Sequence, residues 1–175
     1  MKKKYIMSQG LALGEEKDME KLKSYAAQGW MLDGFAPFGF WLKKGRKQHL
    51  IFAVDYCHNP DEEYFAYFEA AGWTPVCSAG SHIHIFSAPA GTEPIYSDYE
   101  STFNKYAGEK KKCGRIALPA LIATMFLSFL SQINSMPFLL TEMFIYTGFA
   151  AIIILIFSGM PYLGYTYKLK KLKEG

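Results

Sequence analysis

The chain has 175 residues, of which 50% are hydrophobic and 17% aromatic, and its mean hydropathy is zero. Its net charge is +3, but residues 1–112 contain 14 basic and 14 acidic residues, so the basic excess lies after residue 112. A nucleic-acid-binding domain usually has a basic excess of its own, and we therefore expect no direct contact with nucleic acid.

The cysteines and the N-terminus indicate a reducing compartment. Cys57, Cys77 and Cys113 are irregularly spaced and form neither a disulfide framework nor a CxxC metal motif. The basic start of the chain is not followed by an uninterrupted apolar segment, because polar residues and then two glutamates occur by position 16. We expect no signal peptide and a cytoplasmic N-terminal domain.

A unit of one strand, one helix and a β-hairpin occurs twice in the first half of the chain. Trp30 and Trp73 each follow an Ala-containing helical segment and a glycine, and the two tryptophans are 43 positions apart. Gly29 and Gly72 have the position of helix C-cap glycines. Strands are predicted at about 3–7 and 50–57, and hairpins at 30–43 and 73–87. The second helix is predicted to begin at Asn59-Pro60.

This duplication predicts the fold class. Two βαββ units give an α+β cytoplasmic sandwich of ferredoxin-like character over residues 1–95, with both helices on one face of an antiparallel sheet. Ser97 to Glu100 has the pattern of a capping box and predicts a connecting helix over 96–114.

Aromatic residues in the first hairpin are the main candidates for a binding surface. Phe38 and Phe40 are predicted to share one face of the sheet, with Trp41 on the other face. A sheet face without helices suits a protein partner or an apolar ligand, or is covered by the third helix. Trp30 and Trp73 are interpreted as core residues, with binding as the alternative. The candidate residues are Phe35, Phe38, Phe40, Trp41, Trp30 and Trp73.

The histidines of the second βαββ repeat come nearest to a metal-binding pattern. His82 and His84 alternate on a predicted strand, and the topology places the end of the preceding strand, with Cys57 and His58, beside them. No further ligand follows at a typical spacing, so we predict no metal site and no cofactor. Nucleotide-binding loops and hydrolase motifs do not occur in the sequence, and we expect a protein that is not an enzyme.

Two apolar segments near the C-terminus predict a transmembrane helical hairpin over residues 115–168. The spans are about 116–133 and 143–167, and each has the length needed to cross a bilayer. Residues 134–137 have the composition of a turn. Basic residues precede the first span and form a tail at 169–175 after the second, whereas the loop has none. Both termini are therefore expected in the cytoplasm of a cell-membrane protein.

The whole arrangement resembles a family of uncharacterised bacterial proteins with two membrane spans, known as a domain of unknown function. The resemblance rests on the apolar hairpin and on short motifs before it, namely Gly29-Trp30, Phe38-Gly39-Phe40, Asp55-Tyr56, Gly72-Trp73, Ile85-Phe86 with Pro89, and Tyr96-Ser97-Asp98. Members of that family are often encoded beside PadR-type transcriptional regulators. The resemblance implies a membrane-bound partner in a signalling pair and brings no catalytic residues.

Three functional hypotheses follow. The first is a sensory or regulatory membrane protein whose cytoplasmic domain engages a protein partner such as a transcriptional regulator. The second is an accessory subunit of a membrane complex, for example a transporter, or a module that binds a small apolar ligand. The third is a metal-dependent membrane enzyme that uses the histidines. The sequence leaves the partner and the presence of a homo-oligomer open.

Overall fold

The computed structural model describes residues 2–132 and 137–174, and the chain divides into two compact units, residues 1–105 and 106–175. The predicted turn at 134–137 lies outside the described residues except for Pro137, as does Ile133 at the predicted end of the first span.

The first unit contains the predicted duplication. Its elements are β1 (Lys3–Met7), α1 (Leu11–Ala27), β2 (Trp30–Ala36), β3 (Gly39–Lys44), β4 (Leu50–Tyr56), α2 (Glu62–Ala70), β5 (Thr74–Ala79) and β6 (Ile83–Pro89). Gly29 and Gly72 have φ angles of 80° and 84°, the left-handed conformation that glycine adopts without a steric cost. Each glycine ends its helix and directs the chain into the next strand, so the predicted caps are confirmed.

The strands form two three-stranded antiparallel sheets with the same topology, β1-β3-β2 and β4-β6-β5. The fold class is therefore α+β, as the sequence predicts. The expectation of one sheet with both helices on one face is wrong in detail. Within each βαββ repeat the last strand pairs with the other two, so each repeat completes a sheet of its own.

Two apolar cores account for the packing of these sheets. The larger core joins α1 to residues of both sheets and contains Ile6, Met19, Leu22, Ala26, Leu32, Phe40, Leu42, Phe52, Val54 and Ile85. The smaller core lies between α2 and the other face of the second sheet, and contains Phe68, Trp73, Phe86 and Ala88. The second sheet is thus packed on both faces. Side chains of the first sheet alternate between the larger core and a more exposed outer face.

Two helix starts differ from the sequence prediction by one or two residues. The N-cap of α2 is Asp61, whose carboxylate accepts the backbone N–H of Tyr64, and Asn59 precedes it with a φ of 50°. The third helix, α3 (Tyr99–Leu130), is preceded by Asp98, whose carboxylate accepts the backbone N–H of Ser101 at 2.8 Å. The capping residue is therefore Asp98 and not Ser97, because the carboxylate of Asp98 accepts the backbone N–H three residues after it.

The long helices α3 and α4 (Phe138–Glu174) are both long and apolar enough to cross a membrane. Only 11% of the most apolar window of each helix is buried. A core helix of a soluble protein would have most of that surface covered. Large side chains such as Phe126, Phe129, Phe149 and Phe157 are instead more than half exposed. The predicted hairpin is confirmed as a pair of long apolar helices.

Candidate functional site

The outer face of the first sheet presents exposed aromatic side chains. Tyr5 on β1 and Trp41 on β3 are opposite each other in register, and their rings meet edge to face with centroids 5.5 Å apart. They are 43% and 42% exposed, and Met7 beside them is 65% exposed. We call Tyr5, Met7 and Trp41 the outer aromatic face. These three neighbouring exposed side chains form an apolar patch, which marks a candidate contact surface.

The candidate phenylalanines are distributed between the core and the hairpin turn. Phe40 is 2% exposed in the larger core, and Phe35 pairs with it in register with ring centroids 5.6 Å apart. Phe38 is 71% exposed in the turn, with a φ of 55°. The prediction that Phe38 and Phe40 share one face is therefore wrong, because the turn removes Phe38 from the strand. The hydroxyl of Tyr5 donates to the carbonyl oxygens of Pro37 and Phe38, which ties this turn to the outer aromatic face.

The two repeat-related tryptophans have different surroundings. Trp73 is 3% exposed in the smaller core, and its indole N–H donates to the carbonyl oxygen of Glu93 at 3.0 Å. Trp30 is half-buried beside the larger core, with the ammonium groups of Lys44 and Lys4 at 4.9 and 5.6 Å from its ring. These contacts make both tryptophans structural in this fold. The Trp30 ring, which has these two lysine ammonium groups beside it, is also partly exposed at the surface.

The histidine group is brought together as the topology predicts, but His82 does not lie on the strand. His82 is in the turn before β6, and its ring contacts Tyr56 and His58 with centroids 5.9 Å from each. His84 is buried, with Nδ1 at 2.7 Å from the Ser78 hydroxyl and Nε2 at 3.1 Å from the carbonyl oxygen of Cys57. Both of its ring nitrogens are therefore engaged in hydrogen bonds. Over residues 2–132 and 137–174, no three His, Cys, Asp or Glu side chains are grouped so that they could hold a metal ion.

A buried carboxylate on β4 collects two tyrosine hydroxyls. Asp55 is 7% exposed and accepts hydrogen bonds from Tyr64 on α2, at 2.5 Å, and from Tyr96 in the segment before α3. Burial, followed by the hydrogen bond to Asp55, raises the pKa of the Tyr64 hydroxyl above its ordinary value. Tyr64 therefore remains a neutral donor, and Asp55 connects β4, α2 and the approach to α3.

The start of α3 contributes a buried cation to the same region. The ammonium of Lys105 pairs with the carboxylate of Glu15 on α1 and donates to the carbonyl oxygen of Val54 at 2.8 Å. The two charged side chains are only 5% and 8% exposed. The ring of Tyr96 lies 4.6 Å from the same ammonium. We call Glu15, Asp55, Tyr64, Tyr96 and Lys105 the polar cluster, and it holds the first turns of α3 against the domain.

Two other pKa values are displaced in this unit. The ammonium groups of Lys3 and Lys43 lower the pKa of Asp33, with which both form ion pairs at 3.0 and 3.1 Å. Burial raises the pKa of the Cys77 thiol to about 12. Cys77 is therefore a thiol and not a thiolate at neutral pH, which makes it a poor nucleophile.

Sequence reasoning did not find the polar cluster. One signal was present, because Asp55 interrupts the apolar pattern of β4 and a charged residue in a buried strand needs a partner. Glu15 and Lys105 are 90 positions apart and have no such signal. Their pairing depends on where α3 begins relative to α1, which local patterns do not specify.

Comparison with known proteins places most of the first unit within one family. A family model described as "Protein of unknown function (DUF2812)" matches residues 14–118, more than half of the chain. The match includes all the residues of the polar cluster and ends within α3. No curated protein and no solved structure matches the chain.

Proposed function

This chain belongs to the DUF2812 family of proteins of unknown function, and we propose that it is a membrane-anchored regulatory protein without enzymatic activity. Its helical hairpin lies in the bilayer, and its first unit engages a protein partner such as a transcriptional regulator in the cytoplasm. The observation that carries the membrane part is the exposure of two long apolar helices, whose side chains need either lipid or protein around them.

The charge distribution supports a cytoplasmic position for both ends of the hairpin. Lys110, Lys111, Lys112 and Arg115 precede the apolar part of α3, and Lys168, Lys170, Lys171 and Lys173 follow that of α4. The segment between the two helices has no lysine or arginine. Basic residues are retained on the cytoplasmic side of membranes, so both termini and the first unit belong in the cytoplasm.

The polar cluster supports a regulatory role for the domain. It fastens the residues before α3 and the first turns of α3 to α1 and β4, and α3 continues without interruption into the apolar hairpin. A change in the membrane that moves α3 would therefore act on the pairing of Lys105 with Glu15. Allosteric coupling requires a structural element that has two arrangements. In this proposal α3 is that element, and the buried ion pair is the contact that would break.

Two measurements test this proposal. Alkaline extraction of membranes should leave the chain in the membrane pellet, because only an integral protein resists it. Affinity purification of the full chain from mildly solubilised native membranes should then retain a transcriptional regulator in stoichiometric amount. A chain that is extracted into the soluble fraction would refute the anchoring, and a membrane-bound chain without a regulator would refute the regulatory role alone.

The outer aromatic face favours a second candidate, an accessory module that binds another protein subunit or an apolar ligand. Trp41→Ser should abolish binding of that partner while leaving the fold intact, because the side chain is 42% exposed and outside both cores. Tyr67→Ser is the matched control, since Tyr67 is 73% exposed on α2. Equal binding by both variants would exclude the outer aromatic face as the contact surface.

A further inference from the structure

We propose that the helical hairpin binds one anionic phospholipid in a groove between α3 and α4, with the acyl chain in the groove and the phosphate at Lys110. The proposal rests on the membrane anchoring proposed above and adds a specific ligand site to it. All the residues concerned belong to the second unit, residues 106–175.

The groove has a volume of about 370 Å³ and an almost entirely apolar lining. Small-molecule sites in proteins have volumes of about 300–1,000 Å³, so the groove has room for part of an acyl chain. It is lined on one side by Ala117, Leu118 and Leu121 of α3, and on the other by Leu155, Gly159 and Leu163 of α4.

Two glycines shape the groove. A Cβ atom added to Gly159 would have Leu155 Cδ1 at 3.7 Å as its nearest neighbour, so the missing side chain leaves open space along α4. At Gly114 the ring of Tyr162 occupies that space, because an added Cβ atom would lie 3.1 Å from the ring. Tyr162 therefore packs across α3 and forms the end of the groove nearest the basic residues.

The ammonium group of a lysine side chain lies at that end of the groove. The ammonium of Lys110 lies 5.4 Å from the centroid of the Tyr162 ring. Among the residues that the structure describes, no carboxylate is within ion-pair distance of Lys110, whereas Glu109 pairs with Lys112 at 2.8 Å.

The chemistry of this site matches an anionic phospholipid. The groove extends to Gly114 and Leu163, at the ends of the apolar segments that adjoin the basic flanks, and these ends lie near the lipid headgroups when the hairpin spans a bilayer. An apolar groove alone would take any acyl chain. The Lys110 ammonium favours a headgroup with net negative charge over a zwitterionic one. Free phosphate would leave the apolar lining unfilled.

The test is native mass spectrometry of the full chain after removal of co-purified lipid. The chain is titrated with phosphatidylglycerol or with phosphatidylcholine of the same acyl chains, and inorganic phosphate is a separate arm. We expect one phosphatidylglycerol per chain, bound several-fold more tightly than phosphatidylcholine. Equal affinity for the two lipids, or equal binding of inorganic phosphate, would overturn the proposal.

Two pairs of variants locate the site. Gly159→Leu fills the groove and should abolish the bound phosphatidylglycerol. Gly148→Leu is its control, because Gly148 is on the same helix but lines a different and smaller cavity. Lys110→Gln should weaken binding about fivefold, the effect of one cation near an anionic headgroup. Lys111→Gln removes the same charge from an exposed neighbour and should have a smaller effect.

The outcomes separate this inference from the anchoring itself. Phosphatidylglycerol that remains bound to Gly159→Leu would place the lipid elsewhere and overturn the site. A groove filled by a second copy of the chain would appear as a dimer that Gly159→Leu dissociates, with no lipid bound to the wild-type protein, and this also overturns the proposal. If alkaline extraction releases the chain from membranes, the anchoring fails, whatever the lipid titration shows.

Discussion

Lys105 and Glu15 place two opposite charges in the interior of the first unit, where each depends on the other. Removal of one partner from a buried ion pair costs about 3–5 kcal/mol, because the remaining charge stays desolvated. We expect Lys105→Met to lower the free energy of unfolding of this unit by that amount. Urea titration of the solubilised chain by tryptophan fluorescence measures it, since Trp30, Trp41 and Trp73 all lie in this unit.

The double variant Glu15→Gln, Lys105→Met is the control for this prediction. It removes both charges and therefore should recover most of the stability that the single variant loses, since apolar or neutral replacements of a complete buried pair are often tolerated. A loss below about 1 kcal/mol in Lys105→Met would be the value of an exposed ion pair. That result would show that the first turns of α3 are not held by this contact.

Gly39 is required by the close approach of β1 to the first hairpin. A Cβ atom at this position would lie 2.2 Å from the backbone oxygen of Ile6 and 2.9 Å from the Tyr5 hydroxyl. Because the first of these is backbone, relief requires the strands to separate. We expect Gly39→Ala to lower the free energy of unfolding by about 1–3 kcal/mol, the usual cost of overpacking.

Gly34 provides a matched comparison on the neighbouring strand. An added Cβ atom there has no heavy atom within 4 Å. Gly34→Ala should therefore leave the stability unchanged or raise it slightly through the lower entropy of the unfolded chain. Urea titration of both variants measures the difference, and equal destabilisation by the two would contradict the close approach at Gly39.

At the scale of elements, the N-terminus of α3 depends on the carboxylate of Asp98. Two donors of Ser101, its backbone N–H at 2.8 Å and then its hydroxyl at 2.7 Å, lower the pKa of Asp98. A carboxyl group with a lowered pKa stabilises the fold above its unfolded pKa of about 3.9. That contribution is lost as the pH falls through the lower folded pKa. We expect the first turn of α3 to fray in this acidic range.

Amide hydrogen exchange at Ser101 and the following residues measures this capping. Asp98→Ala should increase their exchange at neutral pH, because the cap is then absent at every pH. Ser97→Ala is the control for the capping box that the sequence pattern indicated, and it should leave exchange unchanged. Faster exchange in Ser97→Ala than in Asp98→Ala would restore Ser97 as the capping residue.

The elements themselves were largely predictable, because each is marked by local chemistry. Gly29 and Gly72 mark the ends of α1 and α2, and alternating apolar residues mark the strands. The separation into two sheets was not predictable, because local patterns do not specify whether the strands of the two repeats pair with each other or only within each repeat. Local patterns also misplaced Phe38 and His82, because each lies within one residue of a strand end, where a turn overrides the alternation.

At the scale of the whole molecule, the sequence predicted the long apolar helices from length and composition alone. The sequence predicted neither the polar cluster nor the lipid groove, and the reason is the same for both. Each site combines residues of different elements, and the geometry of their approach is set by packing. Tyr162 and Lys110, for example, are 52 positions apart and meet only because Gly114 lets the ring lie against α3.

The orientation of the hairpin gives the last prediction. Gln132→Cys introduces a thiol at an exposed position just after α3, and Lys171→Cys introduces one at an exposed position near the end of α4. Both are made in a background where Cys57, Cys77 and Cys113 are replaced by serine. If the basic flanks are cytoplasmic, a membrane-impermeant maleimide should label Gln132→Cys in intact cells. It should label Lys171→Cys only after the cells are permeabilised.

The labelling pattern also decides whether the hairpin crosses the membrane. Because α3 and α4 have apolar segments of spanning length, the two thiols belong on opposite sides. Labelling of both in intact cells would mean that the basic flanks are exposed outside, against the charge rule. Protection of both until permeabilisation would mean that the hairpin lies at the cytoplasmic surface or is covered by protein. In that case the exposed apolar side chains of both helices would mark a protein interface instead of a lipid one.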